Sequence, residues 1–184
     1  MDFNFPGYEL KFIQKKNIKD GSDHLFSYIY KFYSPKTKLN YVLLADCHTH
    51  DFFSIKFYPK CYKKTDKKYS LITNKGDIGN VLITCLNVIP ILLAEHPTGS
   101  FGFAGARTYD KASKTIEPLE SNQRYKTYTY IAQRKIGTLT FEHFEYPEIS
   151  GYMLINKLCS LGITEQEREI REMLGNTYNE LPMP

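Results

Sequence analysis

No tryptophan occurs in this 184-residue chain, and its four cysteines, Cys47, Cys61, Cys85 and Cys159, are scattered. No two of them stand at the spacing of a zinc knuckle or a dithiol redox motif, and they form no recognisable disulfide framework. Cys85 and Cys159 lie among apolar neighbours and are expected to be small core residues. The first seven residues contain Asp2 and Pro6 and lack a basic region followed by an apolar run, so no signal peptide is expected. The longest apolar stretch, residues 81–94, is interrupted by Thr84, Asn87 and Pro90, too short and too polar for a bilayer span. There is no internal repeat, no linker rich in Pro, Gly or Ser, and no Gly-x-Ser-x-Gly elbow. These absences point to one domain over residues 1–184, a reducing cytoplasmic setting and no membrane.

What is present is aromatic and mildly basic. Tyr 15 and Phe 12 suit strands with one wet face, where a ring packs while its hydroxyl reaches water; they would also suit a polar pocket. Hydrophobic residues make up 42% and charged residues 24%, too apolar a balance for a disordered chain. The formal net charge of +4 permits nucleic acid or an anionic cofactor without demanding either.

Residues 1–60 alternate with period two. Tyr8, Leu10 and Phe12 set up a strand, and Lys19-Asp20-Gly21-Ser22 carries the Asp-Gly signal of a hairpin turn. His24, Phe26, Tyr28, Tyr30 and Phe32 alternate with Leu25, Ile29 and Tyr33 on a second strand. Residues 39–45 and 52–58 complete an antiparallel meander of about four strands. Its exposed edges are able to pair between chains, which would give a homodimer. From Ile78 the apolar positions Leu82, Cys85, Leu86, Ile89 and Leu93 fall at helical spacing. Asn74 or Asp77 is placed to cap that helix and Pro90 to kink it. Residues 100–106 read as a strand whose Gly102, Ala104 and Gly105 mark a close approach. A polar loop follows, then a helix capped by Ser121 with Tyr125, Tyr128, Ala132 and Ile136 on one face and Gly137 at its end. Residues 141–146 and 152–156 are further strands. Thr164 and Glu167 form a capping box for a last helix closed by Gly175. The fold class is therefore α+β: the meander, a β-α-β-α-β arrangement over residues 71–157 making a mixed sheet, and a C-terminal helix over 164–175.

Three constellations bear on chemistry. Asn74-Lys75-Gly76-Asp77-Ile78-Gly79-Asn80 enters a helix with two glycines, a geometry that presents backbone N–H groups and the positive end of the helix dipole to a phosphate. It is also an ordinary way to turn a loop, and Asp77 would repel a phosphate unless its carboxylate points away. Asp46-Cys47-His48-Thr49-His50-Asp51 is the densest set of metal-ligand types; on a strand His48 and His50 would share a face. The set falls in a predicted turn and nothing nominates a third ligand, so no metal is expected. Lys60, Lys63, Lys64, Lys67 and Lys68, with Tyr62 and Tyr69 interleaved, would track a nucleic-acid backbone, or form a solvated excursion.

The order of these elements, with the glycine loop, resembles the GNAT N-acetyltransferase fold over roughly residues 39–157. The resemblance places residues 39–58 as the meander, Asn74-Lys75-Gly76-Asp77-Ile78-Gly79 as the pyrophosphate loop, Phe101-Gly102-Phe103-Ala104 as the next strand and Asn122 at the start of the second helix. It implies acetyl-CoA as cofactor, held by Lys75, Gly76, Gly79 and Asn80. It implies Tyr128 or Tyr130 as the acid that protonates the departing thiolate, and leaves Glu142, His143 and Glu145 as alternatives for deprotonating an amine acceptor. The loop departs from the family pattern: its glycines are three apart, with an aspartate between them. The helical segment between the first two strands is replaced by a hairpin. Residues 121–128 and 141–144 are also similar to segments of small bacterial proteins with no assigned role. Two readings stand: a GNAT-like acyltransferase or degenerate acyl-CoA-binding protein, and a non-catalytic bacterial binding module for a protein or RNA partner in a regulatory or defence system.

Overall fold

The computed structural model describes residues 4–71, 75–110 and 112–178. The first strand begins later than Tyr8 and Leu10 suggest, as β1 (Lys11–Asn17), and the other period-two segments form β2 (His24–Ser34), β3 (Leu39–His48) and β4 (Phe52–Pro59). Two helices follow, α1 (Ile78–Leu86) and α2 (Val88–Glu95), then β5 (Ser100–Ala104) and a small hairpin of β6 (Tyr109–Asp110) and β7 (Thr115–Ile116). The chain ends with α3 (Gln123–Lys135), β8 (Phe141–Tyr146), β9 (Gly151–Asn156) and α4 (Ile163–Thr177).

Seven strands make one mixed sheet in the order β1-β2-β3-β4-β5-β9-β8. Every pairing is antiparallel except β4 with β5, which run parallel and are in register only over Phe52↔Ser100, Phe53↔Phe101 and Ser54↔Gly102. Beyond Ser54 and Gly102 the ladder between these two strands stops. At Gly102 the strand lies so close to β4 that a Cβ would fall 2.6 Å from the Phe52 ring, so no larger residue fits there.

Strand alternation divides the residues between two layers. Tyr28, Tyr30, Phe32, Tyr41, Leu43, Ala45, Phe53 and Phe101 face α1, α2 and α3 and form the main core. On the other face Phe52, Met153 and Ile155 meet Ile170 and Met173 of α4. Helix α4 carries its apolar residues on one side, and Arg168 links Glu165, Glu169 and Glu172 on the other.

Several local expectations are corrected. The helix expected from Ile78 breaks at Asn87, three residues before Pro90, because the proline ring obstructs the carbonyl four residues back, that of Leu86. Residues 78–95 are long and apolar enough to cross a membrane by composition, yet half of that stretch is buried within the fold. Asn122, not Ser121, caps α3: its side chain accepts from the Tyr125 N–H at 2.9 Å, while Ser121 is left-handed at φ 46°. The capping box of α4 does not form. Gly162 is the N-cap, Thr164 is already helical, and Glu167 accepts instead from Tyr146 and Arg171. Nor does Gly175 end α4, which continues to Thr177. Strand β3 runs to His48, so Asp46 and His48 are strand residues, and the turn is confined to Thr49–Asp51.

Candidate functional site

A cavity of about 410 Å³ opens where the C-terminal end of β4, the turn after β2 and the N-termini of α1 and α3 converge. Phe57 and Tyr41 form its apolar wall; Lys68, Lys75 and Arg124 supply positive charge. A narrower slot of about 40 Å³ lies between β4 and β5, lined by Ile55, Phe57, Phe101, Phe103 and Tyr152 from the sheet and by Leu82, Cys85 and Ile131 from the helices. Phe57 and Tyr128 line both spaces.

Tyr128 stands at that junction for a packing reason. Its helix presents one face to the sheet, and the ring sits between Phe57 of β4 and Phe103 of β5, with centroids 5.8 and 5.4 Å away. Burial raises the Tyr128 pKa, and the Arg124 guanidinium opposes that rise only in part. At neutral pH the phenol therefore keeps its proton. Tyr130 is 47% exposed, lines neither space, and carries Arg134 4.3 Å from its ring centroid.

The glycine loop divides in two. Lys75 and Gly76 line the cavity, with Lys75 Nζ donating to the Thr37 carbonyl at 3.0 Å and Gly76 left-handed at φ 66°. Gly79 and Asn80 turn instead to the N-terminal segment. A Cβ on Gly79 would lie 2.6 Å from the Phe5 ring, and Asn80 Oδ1 accepts from the Gly7 N–H at 3.3 Å. Asn74 lies outside the described residues. Asp77 is the N-cap position of α1 and lines the cavity, but its carboxylate caps no backbone N–H of the helix. It accepts from Tyr8 at 2.7 Å, Ser34 at 2.5 Å and Asn80 at 3.0 Å. Burial works against its ionisation, yet those three donors hold its pKa below the ordinary carboxylate value. Asp77 therefore stays ionised, and its negative charge at the cavity wall stands against the positive charge of Lys68, Lys75 and Arg124.

In the sequence Arg124 stands with Lys126, Arg134 and Lys135 as positive charge expected on the exposed side of the second helix; the structure turns it to the cavity instead. From the first turn of α3 it donates to the carbonyls of Ala106 at 2.8 Å and Leu71 at 3.0 Å and to Thr108 Oγ1 at 3.2 Å, tying two excursions together at the cavity. Nothing in its local spacing announces this, because all three partners are distant in sequence. Phe57 and Phe103 were visible only as strand positions. The lysine loop is partly folded back: Lys67 Nζ lies 3.5 Å from the Tyr109 centroid, and Lys68 Nζ lies 5.0 and 5.2 Å from Tyr58 and Tyr69.

The three acceptor-side alternatives are also committed. Glu142 pairs with Lys157 at 3.5 Å, and Glu145 accepts from Tyr125 at 3.1 Å and Gln133 at 2.5 Å. His143 Nε2 lies 3.3 Å from the Gly137 carbonyl, which can only accept, so that nitrogen carries the proton. Nδ1 then accepts the Tyr152 O–H at 2.5 Å.

The metal-ligand cluster does not assemble. His48 is fully buried in β3, whereas His50 is left-handed in the turn, and no group of three His, Cys, Asp or Glu able to hold a metal occurs among the described residues. Instead Asp46 and His48 join a polar clasp beneath the end of α4. Asp46 accepts from Ser27 at 2.6 Å and Lys56 at 3.0 Å; Lys56 reaches the Tyr178 oxygen at 3.3 Å, and that phenol meets His48 Nε2 at 2.9 Å. Burial, and then the neighbouring His24, depress the His48 pKa to about 4. Burial pushes the Cys47 thiol up to about 12 and that of Cys85 well above its ordinary value, which removes both as thiolate nucleophiles near neutrality.

No protein family, no curated protein and no solved structure matches this chain.

Proposed function

We propose that this chain binds an acyl-CoA and acts as a GNAT-like acyltransferase, or is a degenerate acyl-CoA-binding protein of that type. The observation that carries the reading is the junction at Tyr128. One protonated phenol stands where a cavity lined by Lys68, Lys75, Arg124 and Asp77 at the entry of α1 meets an apolar slot between two parting parallel strands. The strand order supports the same reading, since the resemblance calls for a meander, a loop entering a helix, a strand, a second helix and a closing hairpin.

The residues fit the cofactor at two of the four loop positions. Lys75, with Lys68 beside it, would offset the charge of a pyrophosphate, and Gly76 leaves room for close approach to the backbone. Gly79 and Asn80 serve the N-terminal segment instead. The parted edges of β4 and β5 beyond Ser54 and Gly102 would take an extended arm through backbone hydrogen bonds. Acetyl-CoA, when bound, would supply an activated thioester. The protein's own part would be to present the Tyr128 hydroxyl as proton donor to the departing sulfur; a donor of pKa near the thiol's own serves best, and the Arg124 guanidinium acts in that direction against the rise that burial causes. Tyr128 lines the junction and Tyr130 does not, which selects the former for this role.

The test is the thermal unfolding midpoint with and without millimolar acetyl-CoA, with AMP and phosphate as controls. A ligand bound by the folded state alone stabilises by about 2.7 kcal/mol at a hundred times its Kd, a shift of several degrees. A shift specific to acetyl-CoA and abolished by Lys75→Glu supports the reading. No shift, or an equal shift with phosphate, removes it.

A further inference from the structure

The positive charge around the cavity extends well past its walls. Lys68 and Lys75 line it, and Lys36 Nζ lies 4.0 Å from where a Cβ on Gly76 would stand. Beyond these, Lys38 in the turn after β2 and Lys60, Lys63, Lys64 and Lys67 after β4 are all exposed and line no part of it. Asp66 is the sole acidic residue in residues 35–38 and 60–71. At the other end of the same strands Asp23, Asp51 and Glu95 collect, with Asp23 accepting from Thr49. Exposed lysines thus gather around the mouth of the cavity, with Asp77 on its wall and a second basic group, Lys15, Lys16 and Lys19, toward the opposite end of the strands. A small ligand filling the cavity would leave most of this charge unused. An anionic macromolecule presenting that ligand would use it.

We infer that the lysine-rich rim docks an acidic carrier protein, which delivers a phosphopantetheine thioester into the cavity. The inference rests on the acyl-donor reading above and names the form in which the donor arrives. Charge complementarity selects the partner's sign. The small number of open rings on the rim favours protein over RNA. Binding to single-stranded RNA depends on open rings for stacking. Here Tyr58 is buried and Tyr69 and Tyr109 carry the ammonium group of Lys68 or Lys67 over the ring, which leaves Tyr62 as the one tyrosine of the loop outside these contacts. The cavity behind the rim then accounts for the arm: phosphate beside Lys75, and the chain running toward Tyr128.

The test is equilibrium binding, by fluorescence anisotropy at low salt, of four probes. They are an acyl carrier protein bearing an acetyl-phosphopantetheine arm, the same protein without the arm, acetyl-CoA, and a single-stranded RNA of mixed sequence. Two variants accompany the wild type: the triple Lys60→Glu, Lys63→Glu, Lys64→Glu, on the exposed rim, and Lys75→Glu in the cavity. The loaded carrier should bind more tightly than the armless one. The triple variant should weaken it at least about tenfold while changing acetyl-CoA less than about twofold. Lys75→Glu should weaken both. Loaded-carrier binding that is unaffected by the triple variant, or no tighter than armless binding, overturns the inference. RNA binding tighter than carrier binding, and lost in the triple variant, overturns it in favour of nucleic acid. Acetyl-CoA binding without carrier binding leaves the acyltransferase reading standing and removes this one; binding of neither removes both.

Discussion

The two faces of the sheet differ in how much of their polar chemistry borders open space. Beneath the end of α4, Asp46, Lys56, Ser27, His48 and Tyr178 are spent on one another, leaving only His48 Nδ1 and Ser54 Oγ buried without a partner among the described residues of that face. On the α1–α3 face Asp77 and Arg124 are also spent on internal partners and Lys75 donates to the Thr37 carbonyl, but these groups, with Lys68 and the Tyr128 phenol, line a cavity as well. The contrast separates groups that hold the fold from groups available to a ligand. A cluster dense in His, Asp and Cys looks chemical in a sequence, but its members here satisfy internal demands. The quieter lysine and tyrosine on the other face are the ones left facing a cavity.

The comparison is most severely tested by removing a member of the clasp. Asp46→Ala leaves the Lys56 ammonium half-buried without its counter-charge and should cost about 3–4 kcal/mol in urea unfolding. A cost under about 1 kcal/mol would show that the clasp does not hold the fold. Acid should act on the same place. His48 is neutral in the folded protein down to about pH 4, whereas its unfolded counterpart takes up a proton near 6.5. The unfolded state therefore binds more protons between these values. The stability contributed is complete above pH 6.5 and lost as pH falls toward 4, up to about 3 kcal/mol. His48→Gln should flatten that slope in urea midpoints taken from pH 7 to 4.5; an unchanged slope assigns it elsewhere. Asp46 and Asp77, both with lowered pKa values, add losses only further down, as pH falls past the ordinary carboxylate range.

Asn122→Ala removes the cap of α3 and should cost about 1 kcal/mol. The smallest effect is expected at Tyr128→Phe, within about 0.5 kcal/mol, because the hydroxyl borders a cavity while the ring keeps its packing between Phe57 and Phe103. If this change costs more than about 2 kcal/mol, Tyr128 belongs with the structural face and the contrast fails.

Much of the fold was legible because it is local. Period-two runs placed β2, β3 and β4, and the three-and-four spacing from Ile78 placed α1 and α2. What was not legible is non-local. The insertion of β9 between β5 and β8 is a pairing across some fifty residues of chain that no spacing announces. The His48–Tyr178 contact spans 130 positions, so the strand extension that buries His48 could not be inferred from the turn-like residues around it. The same limit explains the divided loop. Lys75 and Gly76 look no different in sequence from Gly79 and Asn80, and only the N-terminal segment, through Phe5 and Gly7, separates them. Cap positions failed by one or two residues where a side chain found a tertiary partner, as Glu167 did in Tyr146.

The central claim is that the α1–α3 face is the ligand face. Hydrogen–deuterium exchange with saturating acetyl-CoA tests it directly. Slowed exchange in residues 75–82 and 101–105, with residues 163–178 unchanged, is the predicted result. No change anywhere, or protection confined to α4 and the strands beneath it, would contradict the account.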